Sequence, residues 1–139
     1  MCRVMIRSLS VGLACLWPLA AAAPVAVPAE VESAFRRYVA LPDQLVAVLD
    51  KARDRDSAEA AAAELQGLLP AVYDARREMA QIPELSAEVS AEVRRRYEKD
   101  MRTRWGKVLD HIYRLNRERC YGSAAFTKQF EVFCLLLEK

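Results

Sequence analysis

The side chains able to do chemistry are few and far apart. One histidine, His111, is present in 139 residues. Neither Cys120, Cys134 nor any acid stands at a Cys-x-x-Cys or His-x-x-x-His spacing with it, so a zinc site has no ligand set. The four glycines, Gly12, Gly67, Gly106 and Gly122, are too scattered to form a phosphate-cradling loop. No Gly-x-Ser-x-Gly elbow and no Cys-His arrangement marks a nucleophile. Carboxylate pairs such as Asp54 with Asp56, or Glu88 with Glu92, fall where helix capping and surface charge already explain them. The sequence thus nominates no catalytic residue, no metal ligand and no resident cofactor. His111 borders Val108, Ile112 and Leu115 and reads as a boundary side chain with a hydrogen bond along its helix face.

Two ligand-bearing alternatives stay open. Tyr97, Met101, Trp105 and Tyr113 recur at helical spacing and could line a cofactor box, although a buried helix face requires the same spacing. Exported four-helix bundles can also carry a haem between an inward histidine and methionine, and here His111 with Met79 or Met101 would supply the pair. A periplasmic chaperone-like hairpin is a third class, but the repeated Leu-Thr-x-x-Gln motif of such proteins is missing.

The elements that would hold these residues follow from the N-terminus onward. Arg3 and Arg7 precede an apolar run from Ser8 to Leu19, and the small residues Ala20 to Ala23 come next. This is the layout of a secretory signal, with cleavage expected after Ala22. The run is shorter than the roughly 20 apolar residues of a membrane span and contains Pro18. The expected organisation is a signal peptide over 1–22, an extended leader over 23–29 and one helical domain over 30–139, exported to the periplasm or beyond. The mature chain carries no expected membrane span.

Apolar residues at Val31, Phe35, Tyr38, Leu45, Leu49 and Ala52 mark one helix face. Pro42 followed by Asp43 and Gln44 resembles a first turn, which predicts a short helix over 30–40 and a new start at Pro42. Asp56, with Glu59 three residues on, has the form of a capping box. The helix it opens carries Ala61, Leu65, Leu68, Val72, Ala75, Met79 and Ile82 in four-three alternation, in phase across Pro70. Ser86 starts a third and longest helix running to about Arg119, with Val89, Val93, Tyr97, Met101, Trp105, Val108, Ile112 and Leu115 inward and Leu109 and Tyr113 flanking. Tyr121-Gly122-Ser123 supplies a stop and a new N-cap, and Phe126, Phe130, Phe133 and Leu137 share a face of the last helix. No segment alternates with period two. The fold class expected is all-α, an antiparallel three- to four-helix bundle with coiled-coil-like heptad stripes.

Lys51 to Asp54, then Asp56-Ser57-Ala58 leading into Ala60 to Ala63 and Leu65, together with Tyr121-Gly122-Ser123, resemble a group of small exported bacterial helical proteins of uncharacterised function. The resemblance covers roughly two thirds of the mature chain and implies no catalytic residues. Pro70 and the two late cysteines stand outside its pattern.

Charge is balanced overall yet polarised. Ala23 to Val93 holds 7 basic and 13 acidic residues, and Arg94 to Arg119 holds 10 basic and 4 acidic. Acidic helices packed beside a basic one explain this without nucleic acid or anionic lipid, which would need an unpaired basic face. Cys120 and Cys134 are expected to stay unbonded. Eleven residues of helix put Cys134 about 16 Å from the Ser123 cap, Cys120 reaches back only about 10 Å, and a disulfide needs Cα atoms roughly 4.4 to 6.8 Å apart. Cys134 is then expected to be a core thiol. The function class expected is a non-enzymatic exported bundle that acts as a binding or structural module of the cell envelope, through a protein partner or self-association.

Overall fold

The computed structural model describes residues 24–138, so the signal peptide expected over 1–22 and its expected cleavage point lie outside the described residues. Pro24 to Pro28 is non-helical, and four helices follow: α1 (Ala29–Leu49), α2 (Arg55–Ala80), α3 (Ala87–Arg117) and α4 (Ala124–Glu138). All regular structure among the described residues is helical.

α1 is one helix, not two. Pro42 lies inside it and its ring is fully buried. An internal proline forfeits one backbone bond and crowds the carbonyl four residues back, at about 3 kcal/mol. Here Pro42 is buried in line with Leu41 and Leu45, and that burial offsets the loss. Glu30 and Glu32 in the first turn complement the helix dipole.

α2 starts earlier than the expected cap at Asp56. Asp54 is extended (φ −148°), accepts from the Ser57 N–H at 2.8 Å, and its own N–H donates to Ser57 Oγ at 3.0 Å. This reciprocal box satisfies two orphan donors and frees Glu59 for another helix. Pro70 is solvent-exposed within a continuous α2, whose inward residues Leu65, Val72 and Ala75 keep phase across it. Ser86 caps α3, accepting from Val89 N–H at 3.3 Å. Ser123 caps α4, accepting from Phe126 N–H at 3.2 Å.

The cross-helix pairs fix the directions. Arg37–Glu78 (2.9 Å) and Lys51–Glu64 (2.5 Å) make α1 and α2 antiparallel. Arg96–Glu32 (3.0 Å), Arg104–Asp43 (2.6 Å) and Arg114 Nη2 to the Leu49 carbonyl (2.7 Å) make α3 run parallel to α1. Ser123–Glu59 (2.5 Å) and Arg76 to the Leu137 carbonyl (2.7 Å) make α4 run parallel to α2. The expected antiparallel bundle therefore needs correction, since two of its neighbour pairs are parallel. Consecutive helices do alternate in direction, but the 81–86 connection crosses the diagonal and lands α3 beside α1. The fourth side stays open, for α3 and α4 nowhere bring Cα atoms within 8 Å of each other.

The core sits toward the end where α3 turns into α4. Leu45, Leu49, Leu65, Val72, Val108, Leu115, Phe126 and Phe133 are fully buried there. Burying one such side chain stabilises by about 1.5–3 kcal/mol.

Candidate interaction surface

The turn joining α3 to α4 is the most strained backbone described. Arg119, Cys120, Tyr121 and Gly122 all have positive φ (50°, 49°, 54° and 74°). Each non-glycine residue there costs about 1–2 kcal/mol, and only surrounding contacts hold such a run in place. Arg114 is their centre. Its Nη1 donates to the Ala52 carbonyl (2.6 Å) and the Tyr121 hydroxyl (2.8 Å), and its Nη2 to the Leu49 carbonyl. The guanidinium thus satisfies carbonyls left free at the end of α1 and fastens the turn to them. On the other side, the buried Ser123 hydroxyl donates to Glu59.

His111 belongs to this clamp. Its Nδ1 accepts from Arg114 Nη2 (3.1 Å), which places the ring proton on Nε2, 3.9 Å from Asp50 Oδ1. Burial, and then the Arg114 charge, hold its pKa below the ordinary 6.5. The structure does not bring it together with either methionine. Met101 lies ten residues earlier on α3, about 15 Å along the axis. Met79 adjoins Glu78, which faces Arg37 in the first half of α1, whereas His111 faces Asp50 beyond the end of α1.

Cys120 and Cys134 are free thiols. Cys120, not Cys134, is the fully buried one, because the left-handed turn tucks it beneath the bundle, while Cys134 is half-buried where α4 faces the open side. Burial raises both thiol pKa values, and Cys134 reaches about 11 with Cys120, Glu138 and Glu131 adding to the shift. Both are therefore protonated at neutral pH, which is not the nucleophilic form. Among the described residues no three His, Cys, Asp or Glu side chains group as a metal site, and no helix is long and apolar enough to cross a membrane.

The basic stretch of α3 is largely spoken for. Arg95 and Arg96 both reach Glu92, Arg102 reaches Glu98, Arg104 reaches Asp43 and Arg117 reaches Glu118. Glu92 drops to about 2 through its hydrogen bonds to Arg95 and Arg96. Arg94 and Lys99 make no ion pair among the described residues. A second network ties the far end of α3 to α1: the Tyr97 hydroxyl donates to Glu32 (2.5 Å) and its ring stacks on Phe35 with centroids 5.5 Å apart.

Among the mostly charged exposed residues of α3 and α4, a few are large and apolar. Leu109 is 48 % exposed and Tyr113 71 % on α3, and Val132 is 40 % and Leu135 55 % on α4. Between these helices a cleft of about 360 Å³ is lined by Asn116, Phe130, Glu131, Cys134, Leu135 and Glu138. Nearer the leader end, a recess of about 300 Å³ lies among Phe35, Leu85, Val93, Tyr97 and Met101, with Arg94 on its wall. Sequence pattern marked Leu109 and Tyr113 as flanking. It missed Val132 and Leu135, whose signal is the small number of charges on α4, where only Lys128, Glu131 and Glu138 interrupt an otherwise apolar or neutral helix. No family model matches the chain, and no curated protein or solved structure matches it.

Proposed function

We propose that the chain is an exported helical module of the cell envelope that works by binding another protein chain and not by chemistry of its own. The observation that carries this is the exposed apolar set Leu109, Tyr113, Val132 and Leu135 on the two helices that flank the open side. Apolar side chains grouped beside a groove and rimmed by charge are the usual mark of a docking surface. The signal-like segment over 1–22 supports the location, and the protonated thiols and dispersed acids support the absence of a reaction centre.

The test is affinity capture from envelope extracts with the full-chain product as bait, beside a Leu135→Glu, Tyr113→Ala variant. A protein retained by the first and lost by the second is expected. Equal retention on both baits would reject this surface, and no retention on either would reject the reading unless the chain binds itself. Intact-mass measurement of protein recovered from expressing cells tests the export half, with loss of residues 1–22 expected.

A further inference from the structure

Along one corner of the bundle a projection and a recess lie end to end. The projection is α4, whose last carbonyls are reached by Arg76, level with Tyr38 and with the Trp105 ring tilted against it, centroids 4.9 Å apart. Beyond that level α3 continues toward Ala87 for roughly 25 Å with no fourth helix beside it. The recess among Phe35, Leu85, Val93 and Met101 lies in that vacancy. The vacancy, of which the recess is the deepest part, is about as long as α4, whose 15 residues make a rod of about 22 Å.

The two parts are also complementary in charge and character. The projection presents Val132 and Leu135 beside Glu131 and Glu138, acids with no ion pair among the described residues. The recess presents apolar side chains beside Arg94, with Lys99 on the adjoining surface, bases equally without one, while the acid on its wall, Glu98, is taken up by Arg102. A two-fold axis perpendicular to the bundle at this corner turns each copy's recess onto the other's projection. We infer that the chain forms a two-fold homodimer in which α4 of each copy lies in the recess of the other. This rests on the binding-module reading above and names its partner as a second copy. One α4-in-recess contact covers on the order of 250 Å² in projection, well short of the roughly 800 Å² that each partner buries in a stable interface. The reciprocal pair doubles this to on the order of 500 Å² per copy, with Leu109 and Tyr113 adding to it, and because the two-fold contact is isologous the arrangement closes as a dimer and does not extend.

Sedimentation equilibrium on protein purified from cells expressing the full chain is expected to give twice the chain mass. Leu135→Glu should raise the dissociation constant by about tenfold or more, with circular dichroism unchanged. A Glu131→Arg, Glu138→Arg variant and an Arg94→Glu, Lys99→Glu variant should each be monomeric alone and should form a one-to-one heterodimer when mixed, because mixing restores opposite charge at both contacts. A monomeric wild type, a dimer indifferent to these substitutions, or open-ended polymers would overturn the inference. A monomeric wild type that still captures an envelope protein through Leu135 would leave the binding-module reading standing. A monomeric wild type that captures nothing would end both.

Discussion

The two ends of this bundle are held by different means. At the turn end four helices close on phenylalanine and leucine, and a half-buried arginine clamp locks the seam between α1, α3 and the left-handed turn. At the leader end α1 and α3 meet without α4, through the Glu32–Tyr97–Arg96 network and the Phe35–Tyr97 stack, and the groove beside them is open. Dispersion and burial scale with the number of surrounding elements, so a corner short of one helix must lean on polar contacts that water can replace. Stability should therefore be concentrated at the turn end.

The sharpest way to break that contrast is Phe133→Ala. The ring is fully buried, and its loss should cost about 3–5 kcal/mol, read as a lowered urea midpoint. Next comes Arg114→Met, which strips two helix-end carbonyls and the Tyr121 hydroxyl of their donor. A loss of about 2–3 kcal/mol is expected, together with faster hydrogen exchange confined to residues 119–123. Tyr97→Phe, at the opposite end, removes one hydrogen bond to Glu32 and keeps the stack. It should lower stability by less than half as much as Arg114→Met, and an equal loss would show that the leader end is as tightly built as the other.

The smallest effect is one of pH. His111 is held neutral by burial and by Arg114, against the opposing pull of Asp50 and Asp110 and with Arg53 adding to the first two. Below 6.5 the unfolded chain accepts a proton on this ring that the folded chain resists. Its contribution is therefore complete above 6.5 and falls as the pH drops from there toward the depressed folded value. Denaturation midpoints measured across pH 5 to 7 should flatten in His111→Gln relative to the parent chain.

The turn end was also the more legible of the two in sequence. Phe126, Phe130 and Phe133 repeat at helical spacing after a serine cap, and both cap and face lie where the pattern puts them. The cap of α2 was misplaced by two residues because Asp54 and Asp56 both precede an alanine-rich helix, and only the reciprocal hydrogen bonds to Ser57 separate them. Pro42 misled because local sequence states the cost of an internal proline and not the core that surrounds its ring. Heptad stripes say which face of a helix is buried but not which helix covers it, so the parallel placement of α3 beside α1 was out of reach. The uncovered recess escaped for the same reason: its lining has the composition of a core, and only the shortness of α4 leaves it bare.

The parallel placement bears on how the length of this chain can vary. Glu32 with Arg96, Asp43 with Arg104 and Leu49 with Arg114 are separated by 64, 61 and 65 residues. Every one of those intervals spans the 81–86 connection and all of α2. Residues added to or removed from that connection alter each interval by the same amount and leave every pair able to form, since nothing in α1 or α3 is displaced along its own axis. One residue deleted between Tyr97 and Arg104 is different. It rotates the remainder of α3 by a hundred degrees, carries Arg114 away from the end of α1, and unfastens the turn that α4 hangs from. Homologous chains should accordingly differ in length at 81–86 and hold the stretch from Tyr97 to Arg114 free of insertions and deletions.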